Sequence, residues 1–198
     1  MAATKSASAI IARGTSNAAF TQLTANAATT RSGTTATLTM ASTATLSTND
    51  YCLIQGHDIE EYNGVFQVTV ASGTTITYTI KQDPGASSGT TSGMTVDKVT
   101  FGTALDMTTD YGAQVALILQ NGGTGPTIAP QVWKGVGTTS SLVDYTWRQL
   151  FAGDSTAKSY TPWVDTVDIS TMYVNYIVCR NTGQAVDCCA IASHVTAG

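Results

Sequence analysis

The chain has 198 residues and a formal net charge of −4, with a sequence pI of about 4.8, and that length allows one sizeable core or two small ones. Charged residues make up 11% of the sequence, against about 25% in ordinary soluble domains; threonine, serine, alanine and glycine take their place, giving a surface of hydroxyl and amide groups that is cheap to desolvate against a matching partner. The acidic balance lacks the electrostatic footprint of a nucleic-acid binder, and no segment approaches the roughly 20 apolar residues of a membrane span.

The opening stretch, Met1 to Arg13, carries one short apolar pair, Ile10-Ile11, and no run resembling the apolar core of a signal peptide. Synthesis in a cytoplasm without export is therefore expected. Residues 1 to about 12 are uncharged except for Lys5 and rich in small side chains. They read either as an extended arm laid on a neighbouring subunit or as a terminus without fixed structure. Between Ala18 and Ala28 the alanine content suits a short helix, but the threonines and asparagines argue against one.

From there strand signals dominate. Thr35-Ala-Thr-Leu-Thr-Met40, Val65-Phe-Gln-Val-Thr-Val70 and Thr75-Ile-Thr-Tyr-Thr-Ile80 alternate with period two. The segment Asp83 to Gly93, rich in Gly, Ser and Thr, reads as a long turn that closes a first β unit at about residues 30–98. A second unit runs from about residue 99 to the C-terminus. In it Val115-Ala-Leu-Ile-Leu119 is a continuous apolar run of the kind buried on both faces, and Met172 to Cys179 and Ala185 to Val195 are the last strands.

Four cysteines, Cys52, Cys179, Cys188 and Cys189, show neither paired CxxC spacing nor a disulfide framework. With His57 and His194 as the only histidines, no metal site is expected. If Thr182-Gly183 is the tip of a terminal hairpin, Cys179 faces Val186 and Cys188 faces Ile177. Cys179 and Cys188 then sit diagonally, too far apart for a bridge, so all four thiols are expected reduced.

Two sets of motifs resemble known proteins. Leu46-Ser-Thr-Asn-Asp-Tyr-Cys-Leu-Ile-Gln-Gly56, Glu61-Tyr-Asn-Gly-Val-Phe-Gln-Val-Thr-Val70 and Thr74-Thr-Ile-Thr-Tyr-Thr-Ile80 resemble a β module of tailed-bacteriophage virion proteins. Here Asn63-Gly64 is expected to give a positive φ at a tight turn, with Tyr62 and Phe66 as flanking anchors. The sequence departs from that pattern at Ser47-Thr-Asn-Asp50, where the module more often has glycine before the aspartate. Ala104 to Thr127, with its Asn121-Gly-Gly-Thr-Gly-Pro-Thr127 ending, and Arg180-Asn-Thr-Gly-Gln-Ala-Val186 are similar to small β-sandwich proteins of phage particles. In those, Asn-Thr-Gly-Gln closes the last hairpin and a segment like Ser8 to Ala18 is the first strand.

These resemblances imply an all-β protein: a jelly-roll-like β-sandwich made from residues 1–20 and 99–198, with a small β-barrel or sandwich inserted at 30–98. They imply a bacteriophage virion structural protein, with a capsid decoration (cement) protein that binds and stabilises the head shell as the specific expectation. Its partners would be the major capsid protein and neighbouring copies of itself, as a homotrimer, in a virion assembled in the bacterial cytoplasm. The alternative is a tail or head fibre that binds a host-surface glycan.

Candidate chemistry weighs against an enzyme. Glu60-Glu61 are neighbours, which a strand would point to opposite faces, and Asp165 to Asp168 reads as a turn with local caps, so neither makes a glycosidase pair. His57-Asp58 lacks a serine in a nucleophile elbow and reads as part of a solvated loop. Gly122-Gly-Thr-Gly125 lacks the Gly-Lys-Ser/Thr ending of a phosphate loop, and Pro126 suits a turn. Trp133, Tyr145, Trp147, Tyr160 and Trp163 suit a core, a subunit contact or a glycan platform. No catalytic, cofactor-binding or metal residue is assigned, and no cofactor.

Overall fold

A computed structural model describes residues 4–17, 21–27, 29–85, 94–107, 110–121, 130–138, 141, 145–152, 163–168, 173–181 and 186–196. The chain divides into two compact units, an outer one of residues 1–20 with 100–198 and an insert of residues 21–99. All described strand pairings are antiparallel. The regular elements among the described residues are strands and one 3-10 turn, Glu60–Tyr62. The protein is all-β, as alternation and β-branched content predict.

In the insert, β2 (Leu23–Thr24) pairs with β9 (Thr95–Phe101), which continues through β5 (Tyr51–Gln55) to β6 (Gly64–Gln67). The insert therefore begins ahead of residue 30, because residues 23 and 24 are laddered to its last strand. The alanine-rich stretch holds this short strand and no helix among its described residues. A second sheet has the order β3 (Thr30–Ser32), β4 (Thr35–Thr39), β8 (Thr75–Thr79), β7 (Thr69–Ser72). One face of it buries Ala36, Leu38, Ile76 and Tyr78. On the other face Thr30, Thr37, Thr77 and Thr69 stand in one row across all four strands. Phe66 of β6 meets Tyr78 of β8 with ring centroids 4.7 Å apart, so the two sheets close over a shared core with Leu53, Ile54, Tyr62 and Val65. Each fully buried aliphatic there contributes about 2 kcal/mol.

Two turns of this unit are fixed by side chains. Asn49 adopts a φ of 77°, the left-handed conformation that glycine favours and asparagine tolerates, while Asp50 Oδ2 accepts the Ser47 amide at 2.8 Å. The turn is thus kept although the glycine is absent. Asn63-Gly64 is not a two-residue hairpin turn. Gly64 has a φ of 144°, but it opens β6, and the reversal is made by the 3-10 turn before it. The run from Val65 to Val70 is likewise split into β6 and β7 at Val68.

The outer unit has one sheet ordered β1 (Thr4–Asn17), β16 (Val186–Thr196), β11 (Asp110–Asn121), β14 (Trp163–Asp168). In a second sheet β12 (Pro130–Gly137) lies between β13 (Thr146–Ala152) and β15 (Val174–Asn181), with β10 (Leu105–Asp106) also on β15. Gly102 marks where the two sheets meet. Its amide donates to the Ile177 carbonyl at 3.0 Å, and the next amide, of Thr103, donates to the Ile10 carbonyl at 2.7 Å. A Cβ at Gly102 would lie 2.7 Å from an Ile10 methyl and 2.8 Å from the Ile177 oxygen, so only glycine fits without displacing backbone.

Two expectations are corrected here. Residues 4–12 are not a free arm, since β1 is laddered to β16 of its own chain from Thr4↔Thr196 to Asn17↔Val186, with two bulges. Nor do β15 and β16 form a hairpin. They belong to different sheets, so the chain crosses between sheets where a hairpin tip was expected. Cys179 faces Val132, and Cys188 faces Leu119 and Thr15. Cys179 and Cys188 are therefore not diagonal neighbours across one hairpin, and Cys52, Cys179 and Cys189 are free thiols.

Candidate functional site

Gly135 and Gly137 alternate on β12, so both open the same face of the sheet. Register places Trp147 opposite Gly135 from one side and Tyr176 from the other. The rings fill the space the glycines leave. A Cβ at Gly135 would come 2.7 Å from the Trp147 indole, and one at Gly137 2.7 Å from the Tyr145 ring. Both aromatics thus lie flat on backbone. Tyr176 joins Tyr145 at 5.1 Å, and Phe101 joins Tyr176 at 4.7 Å and Trp147 at 6.3 Å. Tyr145 and Trp147 are 5.9 Å apart.

These tilted contacts lie in the favourable range for aromatic pairs, each contributing about 1 kcal/mol beyond buried area. All four rings remain partly exposed, and Gln149, two residues beyond Trp147, is exposed. Trp133, half-buried, precedes Gly135 by two residues and shares its face by alternation. Such a cluster presents apolar ring surface with polar edges, which suits another protein surface or the apolar face of a sugar ring.

Sequence reasoning named Tyr145, Trp147 and Trp133 and missed Phe101 and Tyr176. The available signal was the alternation Trp133-Lys-Gly-Val-Gly137, because paired glycines on one strand face make room for cross-strand aromatics. Tyr160 lies outside the described residues, and so does the Trp163 side chain.

A second feature is the outward face of the β1-β16-β11-β14 sheet. Ala7, Ala9, Ile191, Ser193 and Gln114 are exposed and Ala116 is half-buried; they form two adjacent rows, Ala9–Ile191–Ala116 and Ala7–Ser193–Gln114. The described side chains of this patch are neutral and mostly small. By register, Lys5 and Asp168 stand at its borders.

Asp165 and Asp168 are in strand β14, not in a turn, at register positions opposite Leu117 and Gln114. Glu60 and Glu61 lie on the 3-10 turn and not on a strand, where Gln82 donates to Glu61 Oε1 at 2.9 Å and lowers its pKa. His57 is buried, with Nδ1 accepting the Ile59 amide at 2.9 Å. Burial, with Asp50 as the next cause, pushes the Cys52 thiol up to about 12, against the opposing charge of Lys98. That thiol is a core side chain and not a nucleophile at neutral pH.

Among the described residues, no group of three or more His, Cys, Asp or Glu side chains is placed to hold a metal ion, and no helix is long and apolar enough to cross a membrane. The loop Gly122 to Gly125, with Pro126, lies outside the described residues. Comparison with protein-family models, with curated proteins and with solved structures returns no match.

Proposed function

We propose that this chain is a non-enzymatic structural protein of a bacteriophage virion, acting as a capsid decoration protein that seats on the head shell through its outer unit. The observation that carries this reading is the patch of neutral, mostly small side chains described on β1, β16 and β11: Ala7, Ala9, Ile191, Ser193, Gln114 and Ala116. Small uncharged side chains on a sheet lose little solvation when covered, and long side chains need not be immobilised. Weak contacts of this kind suffice when many copies bind one symmetric lattice. The major capsid protein and neighbouring copies, as a trimer, are the partners. The motif resemblances of residues 46–80, 104–127 and 180–186 point to the same setting.

A second reading, a fibre or appendage that binds a host-surface glycan, is favoured by the partly exposed rings of Tyr145, Trp147, Tyr176 and Phe101. Copy number separates the two. Quantitative gel densitometry of purified particles is expected to give hundreds of copies for a decoration protein. Tens or fewer would transfer the assignment to an appendage.

A further inference from the structure

The loop joining β5 to β6 is built around His57. The ring is fully enclosed and packs on Tyr62 with centroids 4.3 Å apart. The His57 amide donates to Asn63 Oδ1 at 2.9 Å, and Asn63 Nδ2 donates back to the His57 carbonyl at 2.8 Å and to the Ile59 carbonyl at 3.3 Å. The Ile59 amide donates to His57 Nδ1 at 2.9 Å. Accepting that bond requires an unprotonated Nδ1, so the proton of the neutral ring is on Nε2. Nε2 is buried without a hydrogen-bond partner among the described residues.

Asp58 Oδ1 lies 3.0 Å from the same Nδ1. With the ring neutral, this places two acceptors side by side. With the ring protonated it becomes a charge-assisted bond, and the Ile59 amide loses its acceptor. The nitrogen thus has two exclusive partners, one for each protonation state.

We propose that His57 is an acid-operated latch on the insert: protonation at Nδ1 moves it from the Ile59 amide to the Asp58 carboxylate and releases the Glu60–Tyr62 turn. The inference is independent of the virion reading.

The groups around the ring fix the direction. Burial holds its pKa below the ordinary 6.5, and the neighbouring Asp58 charge raises it by less, because burial is the larger cause. Asp58 is half-exposed, so water screens its charge. Tyr62 is the titratable side chain packed against the ring, and it stays neutral, held up by burial. Behind it, Tyr78 of β8 donates its hydroxyl to the Tyr62 carbonyl, while Arg31 of β3 and Asp83 act on Tyr62 with opposite signs. Glu60 and Glu61 follow on the turn, with Glu61 bonded to Gln82. An opened loop binds its proton at the ordinary value and the closed loop only at lower pH. Closure is therefore complete above 6.5 and weakens as pH falls toward the folded midpoint.

The test is NMR on the full chain from pH 8 to 4, following the His57 ring and the exchange of the Ile59 and Asn63 amides. His194→Gln assigns the second histidine. The expected result is a His57 midpoint below 6.5, with the Ile59 protection factor dropping roughly tenfold per pH unit between that value and the midpoint. His57→Gln abolishes the step. Asp58→Asn, an exposed change that leaves folding intact, moves the midpoint lower. Protection at Ile59 that is unchanged through the His57 titration, or a midpoint unmoved in Asp58→Asn, overturns the latch.

Discussion

Strands β4, β5 and β8 of the insert have five residues each, whereas β1, β11 and β16 of the outer unit have 14, 12 and 11. Short strands offer few ladder bonds, and the insert supplements them with polar side chains at its turns. Thr43 Oγ1 donates to the Ser72 carbonyl at 2.7 Å, Thr48 Oγ1 accepts the Val70 amide at 3.0 Å, and Asp50 and Asn63 tie their own loops. The outer unit uses long ladders and glycines that let backbone and rings approach closely. The contrast shows why a sequence so poor in charge still specifies its turns: short polar side chains, with hydroxyl, amide or, at Asp50, carboxylate groups, hydrogen-bond nearby backbone as local fasteners. The ion pairs Arg31–Asp83 and Lys98–Asp50 lie at the surface and add about 1 kcal/mol at most.

If each unit has its own core, the largest effects should stay within the unit that is mutated. Leu38→Ala in the insert and Ile177→Ala in the outer unit each remove a fully buried side chain and are expected to cost about 3 kcal/mol. Calorimetry should show one transition falling by about 15 °C and the other little changed. Equal shifts of both transitions would mean that the units melt as one.

A smaller effect sharpens the same contrast. Gly102→Ala is expected to cost about 2 kcal/mol, because the added carbon meets the Ile177 carbonyl. Gly73→Ala in the insert meets nothing within 4 Å and should stay within about 0.5 kcal/mol. Urea melts of the two variants measure this, and equal costs would contradict the close approach at Gly102.

The smallest effect concerns the turn that lacks its glycine. Asn49→Ala is expected to cost about 1 kcal/mol at a φ of 77°, while Asn49→Gly stays within about 0.5 kcal/mol. A fully tolerated alanine in thermal melts would show that this turn is not left-handed.

Much of the β content was legible because Thr35 to Met40 and Thr75 to Ile80 bury one face and expose the other. The pairing of β15 was not. Ile177, Val178 and Cys179 are all fully buried, so no alternation identifies a core face, and a short connection serves a sheet-to-sheet crossing as well as a hairpin. The carboxylates of β14 were misread because Asp and Thr are turn residues by composition, while their strand is set by the long-range ladder to β11. Of the aromatic cluster, Trp133, Tyr145 and Trp147 were visible, but Tyr176 and Phe101 join it only through pairing across the sheet. The His57 loop was dismissed as solvated because a His-Asp pair is polar. What buries it is Tyr62 beneath the ring and the Asn63 side chain across the loop.

The proposed attachment rests on the small neutral side chains described on β1, β16 and β11, and cosedimentation of the purified chain with undecorated bacteriophage head shells tests it. Ser193 is exposed between Ala7 and Gln114, so Ser193→Arg leaves the core untouched and puts an unpaired charge at the contact. Saturable binding by the native chain, weakened at least about tenfold in Ser193→Arg, is the predicted result; shells that bind both proteins equally, or neither, would contradict it.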